Sequence, residues 1–379
     1  MTSPRRLMYV ITEDWFFASH FLDRARAAVE AGWDVVVATR CRDDAARIHA
    51  TGARTVHVEL SRRGTNPLVE LRAVASLVRV MRRERPDVVH HVALKPVVLG
   101  TIAARLAGIR RIVNAPVGMG YVFTSGDRRA RLLRPALRAA MRVVLNPRGS
   151  RVIIENPDDR DAIVGGRFAR ASDVSLIKGA GVDLREYAPT PEPDPAGGIV
   201  VTVVARMLRD KGVGEFVEAA RILRGRGVPV SCRLVGGTDD GNPTSIDVPS
   251  LRAWEREGLV QWLGARDDVP AVWRESHVAC LPSHREGLPK ALIEAAACGR
   301  PIVTTDVPGC REVVRDGIEG LLVPARDPGA LADAIAALAA DPARRARMGA
   351  AARARAEAEF GNERVIAATH AVYDELVSS

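Results

Sequence analysis

The sequence predicts an α/β protein built from two doubly wound, Rossmann-like domains. Three features point there. Short runs rich in Val and Ile alternate with amphipathic stretches, a Pro-rich segment interrupts that alternation once, and the alternation restarts directly afterwards. The 379 residues are also more easily divided between two cores of about 190 residues than gathered into one.

In the first half, residues 7–11, 34–38, 55–60, 87–92, 111–114, 151–155 and 174–177 read as strands. Helical periodicity occupies 20–31, 68–83, 97–106 and 130–145. Strand–helix repetition of this kind implies a parallel sheet covered on both faces. Residues 188–198 hold four prolines and two glycines, a composition that continues neither a helix nor a central strand. They are expected to link a domain of residues 1–187 to one of 199–361. Beyond them, 199–204, 231–235, 260–263, 278–281, 301–305 and 320–323 read as strands, and the tail from 327 as helix broken near Asp341-Pro342. Two such domains place a cleft between their strand ends.

Composition narrows the classes. Hydrophobic residues at 47% and charged residues at 27% exclude a disordered or fibrous chain. The longest charge-free stretch, residues 112–126, includes three glycines and a proline and falls short of the about 20 apolar residues a spanning helix needs. Only Leu7 to Ile11 separate the early arginines from Glu13 and Asp14, too few for a secretory core, so a cytoplasmic protein is expected. Five scattered cysteines (Cys41, Cys232, Cys280, Cys298 and Cys310) have no metal or redox spacing and read as small buried hydrophobes. The net charge of +9 divides as +13 over residues 1–190 and −4 over the rest. A basic half suggests anionic lipid or nucleic acid as a partner. With 51 Arg against 4 Lys, part of that excess is compositional bias.

Chemistry concentrates after the strand at 278–281. In His284-Arg285-Glu286-Gly287-Leu288-Pro289-Lys290, Gly287 allows a tight turn and Pro289 suits the first position of a helix that stops at Gly299. A helix opening at a strand's carboxyl end offers free amides to a diphosphate. Glu286 and Glu294 are eight residues apart; phosphate repels carboxylates, so their natural partners are sugar hydroxyls, unless Glu294 is simply a solvated helix residue. In the first loop after the linker, Arg206 and Lys211 suit phosphates, with Arg209 a competitor. Asp159-Arg160-Asp161 imitates a metal-binding pattern but follows Asn156-Pro157, which reads as a helix cap and acidic first turn.

These motifs, with Leu234-Val235-Gly236-Gly237, Leu263-Gly264 and Asp268-Val269, resemble in order and spacing the retaining glycosyltransferases of family 4, which have the GT-B fold. The resemblance covers nearly the whole chain and implies that the C-terminal helix, about 362–379, packs on the first domain. It implies that Arg206 and Lys211 hold the donor diphosphate and that Glu294 holds ribose. Glu286 would face the transferred sugar beside Gly287 and Leu288, and Gly236 and Arg266 would complete the donor site. Among these, Glu286, Arg206, Lys211 and His91 would carry catalysis.

Asp87-Val88-Val89-His90-His91-Val92-Ala93-Leu94-Lys95-Pro96 and Asn114-Ala115-Pro116-Val117-Gly118-Met119-Gly120-Tyr121 look like bacterial enzymes extending polyprenyl-diphosphate-linked saccharides. The resemblance implies a UDP-linked hexose or N-acetylhexosamine donor, no cofactor and no metal. Trp15, His90, His91, Lys95, Gly118 and Tyr121 are its acceptor-side candidates; either histidine reaches the acceptor, or both serve the core.

Residues 127–142 interleave arginines with apolar residues at helical spacing. They suggest peripheral binding to the anionic inner face of the plasma membrane, against a plain solvated helix face. Competing readings are a sugar-nucleotide epimerase of the same architecture and a glycosyltransferase with a soluble small-molecule acceptor. A third reading, a nucleic-acid binder, predicts aromatic stacking platforms or a helix-turn-helix, and the sequence offers neither convincingly.

Overall fold

A computed structural model of the chain describes residues 4–60, 66–117, 135, 138–239 and 241–378. Two compact units emerge, one of residues 1–180 with 363–379 and one of residues 181–362. Each of the thirteen runs read as strands contains one.

The first unit holds β1 (Arg6–Glu13), β2 (Asp34–Arg40), β3 (Arg54–His57), β4 (Val88–Val92), β5 (Ile112–Ala115), β6 (Ser150–Ile154) and β7 (Val174–Leu176). They form one parallel sheet in the order β3-β2-β1-β4-β5-β6-β7. Side chains alternate across a strand, so Leu7, Tyr9 and Ile11 of β1 enter one apolar cluster while Met8 and Val10 enter another. That two-sided burial explains the unbroken apolar run. The helix Asn362–Ser378 belongs to this unit, with Val365, Val372, Tyr373 and Leu376 in the cluster of Tyr9.

The second unit holds β8 (Ile199–Val204), β9 (Val230–Val235), β10 (Gln261–Trp262), β11 (Val278–Leu281), β12 (Ile302–Thr305) and β13 (Gly320–Val323). Its parallel sheet runs β10-β9-β8-β11-β12-β13. From β8 the chain builds outward to β9 and β10, then returns to place β11 on the other side of β8. The carboxyl ends of β8 and β11 thus flank the topological switch point, where loops diverge and leave room for a ligand.

Several expectations need revision. The division falls at residues 180–181, and the Pro-rich stretch lies within the second unit. Glu192 pairs with the buried Arg345 at 2.5 Å, and Arg300 donates to Thr190 Oγ1 at 2.6 Å. A proline-rich segment can therefore be a pinned strap as readily as a linker. The helix expected at 20–31 is Leu22–Glu30, and a separate helix that the sequence did not announce, Asp14–His20, precedes it across Phe21. Pro289 is the N-cap of helix Lys290–Ala297 and not its first residue. Asn156 caps the helix Pro157–Gly165, its side chain accepting the Asp159 amide at 2.8 Å.

Candidate functional site

Two loops meet at the switch point of the second unit. The first follows β8, carries Arg206, and passes through a 3-10 turn, Arg209–Lys211, into the helix Val213–Gly225. The second runs from β11 to the helix Lys290–Ala297 and carries Ser283, His284 and Glu286. Close backbone contact joins them. Gly212 has φ +71°, and a Cβ there would lie 2.0 Å from the Pro282 carbonyl oxygen. The His284 amide donates to Asp210 O at 2.9 Å, and His284 Nε2 bonds Glu215 Oε1 at 2.8 Å.

That junction brings Lys211 Nζ to 2.5 Å from Glu286 Oε1, an oxygen that also accepts from Ser283 Oγ at 2.7 Å. Arg206 pairs with Asp239; its competitor Arg209 is exposed. The loop after β9 closes over the first loop through Gly236, whose Cβ would stand 1.8 Å from Ala205 O at φ +144°. Trp262 Nε1 donates to Gly236 O at 2.9 Å. Leu288 is buried, and Gly309 packs on Gly287, where a Cβ would come within 2.4 Å of its carbonyl oxygen. Arg266 is exposed and forks onto Asp268 at 2.7 and 2.6 Å.

Glu294 is a buried residue in the helix Lys290–Ala297, which excludes the solvated-residue reading. Its Oε1 receives Lys290 Nζ at 2.9 Å and the Tyr187 hydroxyl at 3.1 Å. Burial, then the adjacent carboxylate, raises the Tyr187 pKa, so the phenol stays protonated and donates. Tyr187, Asp239, Ser283 and Gly309 are contributors that sequence reasoning missed. Tyr187 lies just before the Pro-rich stretch, 107 positions from its partner, with no local signal of the bond.

In the first unit, Trp15 and Lys95 follow β1 and β4, the strands at that sheet's own switch point. Trp15 lies edge-on to Phe16, and Lys95 pairs with Glu70 at 2.6 Å. His90 and His91 are both wholly buried, on opposite faces of β4. His90 Nδ1 bonds the Tyr373 hydroxyl at 2.6 Å, and His91 Nδ1 donates to Asn114 Oδ1 at 2.8 Å. Burial holds His90 well below its ordinary pKa and His91 at about 4, so both are neutral. Both therefore occupy core positions, the alternative left open for them. Gly118, Tyr121 and most of 127–142 lie outside the described residues.

Four of the cysteines are buried and Cys41 is partly exposed. Burial pushes the Cys232 and Cys310 thiols up to about 12 and Cys298 to about 11, which leaves them inert packing groups.

Residues 6–156 match the family described as Glycosyl transferase 4-like, and residues 198–341 match Glycosyl transferases group 1. One relative is the N,N'-diacetylbacillosaminyl-diphospho-undecaprenol alpha-1,3-N-acetylgalactosaminyltransferase of Campylobacter jejuni, 26% identical over 88% of this chain and 89% of its own. Another is the UDP-Gal:alpha-D-GlcNAc-diphosphoundecaprenol alpha-1,3-galactosyltransferase of Escherichia coli, 27% identical over 70% and 69%. Among solved structures, sucrose-phosphate synthase of Thermosynechococcus elongatus superposes over 99% of both chains with a TM-score of 0.82 at 22% identity, a likeness of fold. The epimerase and nucleic-acid readings give way to these matches. With both halves matched in order and two parallel α/β sheets in place, the chain belongs to the family-4 group of GT-B glycosyltransferases.

Proposed function

We propose that the enzyme moves a hexose or N-acetylhexosamine from a UDP-sugar, with retention at the anomeric carbon, onto a polyprenyl-diphosphate-linked saccharide. The carrying observation is the meeting of Lys211 and Glu286 at the switch point, one phosphate-binding and one hydroxyl-binding group within 2.5 Å. The undecaprenyl-diphosphate acceptors in the names of both relatives support the acceptor class, and the UDP-galactose in one supports the nucleotide.

In this reading the donor diphosphate takes Lys211 and Arg206 from Glu286 and Asp239 and lies against the amides opening the helix Lys290–Ala297. As the glycosidic bond breaks, negative charge grows on the leaving phosphate. Preorganised cations and amides are strongest there, because they need no reorganisation at that moment. Glu286, released from Lys211, accepts hydroxyls of the transferred sugar, and Glu294 accepts those of ribose. This cationic set performs the neutralisation a divalent ion would provide, so EDTA should leave the rate unchanged.

Peripheral membrane association completes the proposal. Helices Pro67–Glu84 and Leu94–Leu106 lie side by side, tied by Lys95–Glu70 at 2.6 Å and by Arg82 Nη2 donating to Leu106 O at 3.0 Å. Their outer faces expose Leu68 (67%), Leu71 (66%), Ile102 and Leu106 beside Arg72, Arg79 and Arg82. Apolar side chains set among arginines fit an anionic lipid surface. The founding test is product mass after incubation with UDP-sugars and a short undecaprenyl-diphosphate saccharide. Anomeric NMR couplings report the stereochemistry. No transfer from any UDP-sugar to any such acceptor would overturn the reading.

A further inference from the structure

We propose that Tyr187 is a positioning residue for donor recognition: its hydroxyl fixes the Glu294 carboxylate so that Glu294 distinguishes ribose from 2'-deoxyribose. The inference rests on the reading that Glu294 holds the donor's ribose.

Both polar contacts of the Glu294 carboxylate, one ion pair and one hydrogen bond, fall on one oxygen. Lys290 Nζ, from the preceding helical turn, and the Tyr187 hydroxyl, from outside the helix, converge on Oε1 at 2.9 and 3.1 Å. Among the described residues Oε2 has no hydrogen-bond partner, which leaves a carboxylate oxygen with capacity to accept from a ligand hydroxyl. Without Tyr187, only the flexible Lys290 stem would govern carboxylate rotation, and Oε1 and Oε2 could exchange roles.

Tyr187 is itself held firmly. Its amide donates to Asp183 O at 3.0 Å, and its carbonyl accepts from Arg353 Nη1 at 3.0 Å. The same Arg353 nitrogen donates to Ala297 O at 2.7 Å, the last residue of the helix that carries Glu294. Arg353 therefore fixes the Tyr187 backbone to that helix's end, and the phenol spans back to Glu294. Burial and the neighbouring carboxylate keep the phenol protonated, so the bond persists across the working pH range. A buried donor to a charged acceptor is among the more valuable hydrogen bonds, and its removal leaves the acceptor both less fixed and less satisfied.

The test measures binding of UDP and 2'-deoxy-UDP to the full-length enzyme by calorimetry, for wild type, Tyr187→Phe and Glu294→Gln, with melting temperature as a folding control. GDP or ADP and their deoxy forms replace UDP should one of them bind better. Wild type should prefer the ribonucleotide about tenfold, the scale of one hydrogen bond to a charged group. Tyr187→Phe should lose most of that preference by weakening ribonucleotide binding, with deoxynucleotide binding little changed. A Tyr187→Phe enzyme that weakens toward both nucleotides equally, or keeps full discrimination while Glu294→Gln loses it, would overturn the positioning role alone. A wild type that fails to discriminate would overturn the ribose reading of Glu294, and this inference with it.

Discussion

Lys211 Nζ and Glu286 Oε1 lie 2.5 Å apart although one belongs to the loop after β8 and the other to the loop after β11. The two groups are mutual counter-charges, so each variant changes what the other can bind. Glu286→Gln should lower kcat at least about a hundredfold, the scale of losing one transition-state contact. UDP binding should stay unchanged or tighten, because Lys211 loses a competing carboxylate. Lys211→Ala should weaken UDP binding and turnover together. Steady-state kinetics with UDP calorimetry separates the two, and near-normal turnover in Glu286→Gln would remove Glu286 from the reaction.

The closeness of these loops depends on glycine at two points. Gly212 and Gly236 both have positive φ, and each backbone abuts a carbonyl oxygen of the neighbouring loop. An alanine at either position must strain the backbone, at about 1–3 kcal/mol, and also push a loop away. Gly236→Ala should lower the melting temperature by several degrees and weaken UDP binding by more than that loss explains, since Gly236 closes on the segment bearing Arg206. An alanine at Gly214, whose Cβ meets nothing within 4 Å, serves as the control and should leave both unchanged.

Much of this architecture was legible because buried parallel strands write themselves as short apolar runs, and helix breaks at Gly and Pro are local. Arg206, Lys211, Glu286 and Glu294 stand out as candidates for the same reason: each lies on a loop or helix adjoining a strand end. What escaped was nonlocal. Tyr187 and Glu294 are 107 positions apart, and Arg206 and Asp239 are 33 apart, with nothing in either neighbourhood to announce a partner. The Pro-rich stretch misled because its composition reports what it cannot be, a helix or central strand, and not what it is pinned to. Adjacent His90 and His91 were ambiguous because strand alternation sends them to opposite faces, and only the packing of Tyr373 and Asn114 decides their environments.

Those histidines give the protein an acid sensitivity. Between about pH 6.5 and 4 the unfolded chain takes up protons at these positions that the folded chain refuses, so stability falls as pH falls through that window. For His91 the full effect by pH 4 is about 3 kcal/mol; His90 acts in the same direction. Melting temperature should therefore drop steadily from pH 7 to 4.5. His91→Gln should start lower but fall less steeply, and an unchanged slope would mean that carboxylates elsewhere dominate acid unfolding.

Leu68 and Leu71 occupy successive turns on the outer face of the helix Pro67–Glu84, with Arg72 and Arg79 on the same side. Each arginine near an anionic surface contributes about 1 kcal/mol, and each inserted leucine up to about 2 kcal/mol. Wild type should therefore sediment with vesicles containing phosphatidylglycerol, weakly with neutral ones, and less as salt rises, because screening removes only the electrostatic share. Leu68→Glu with Leu71→Glu should cut partitioning at least tenfold while leaving UDP binding intact, since these residues lie in a different unit from the donor-site candidates. Turnover on a short-chain, water-soluble acceptor should be unaffected and turnover on the polyprenyl form in vesicles should fall in parallel with binding. Equal binding of wild type and the double variant to anionic vesicles would place the membrane contact elsewhere.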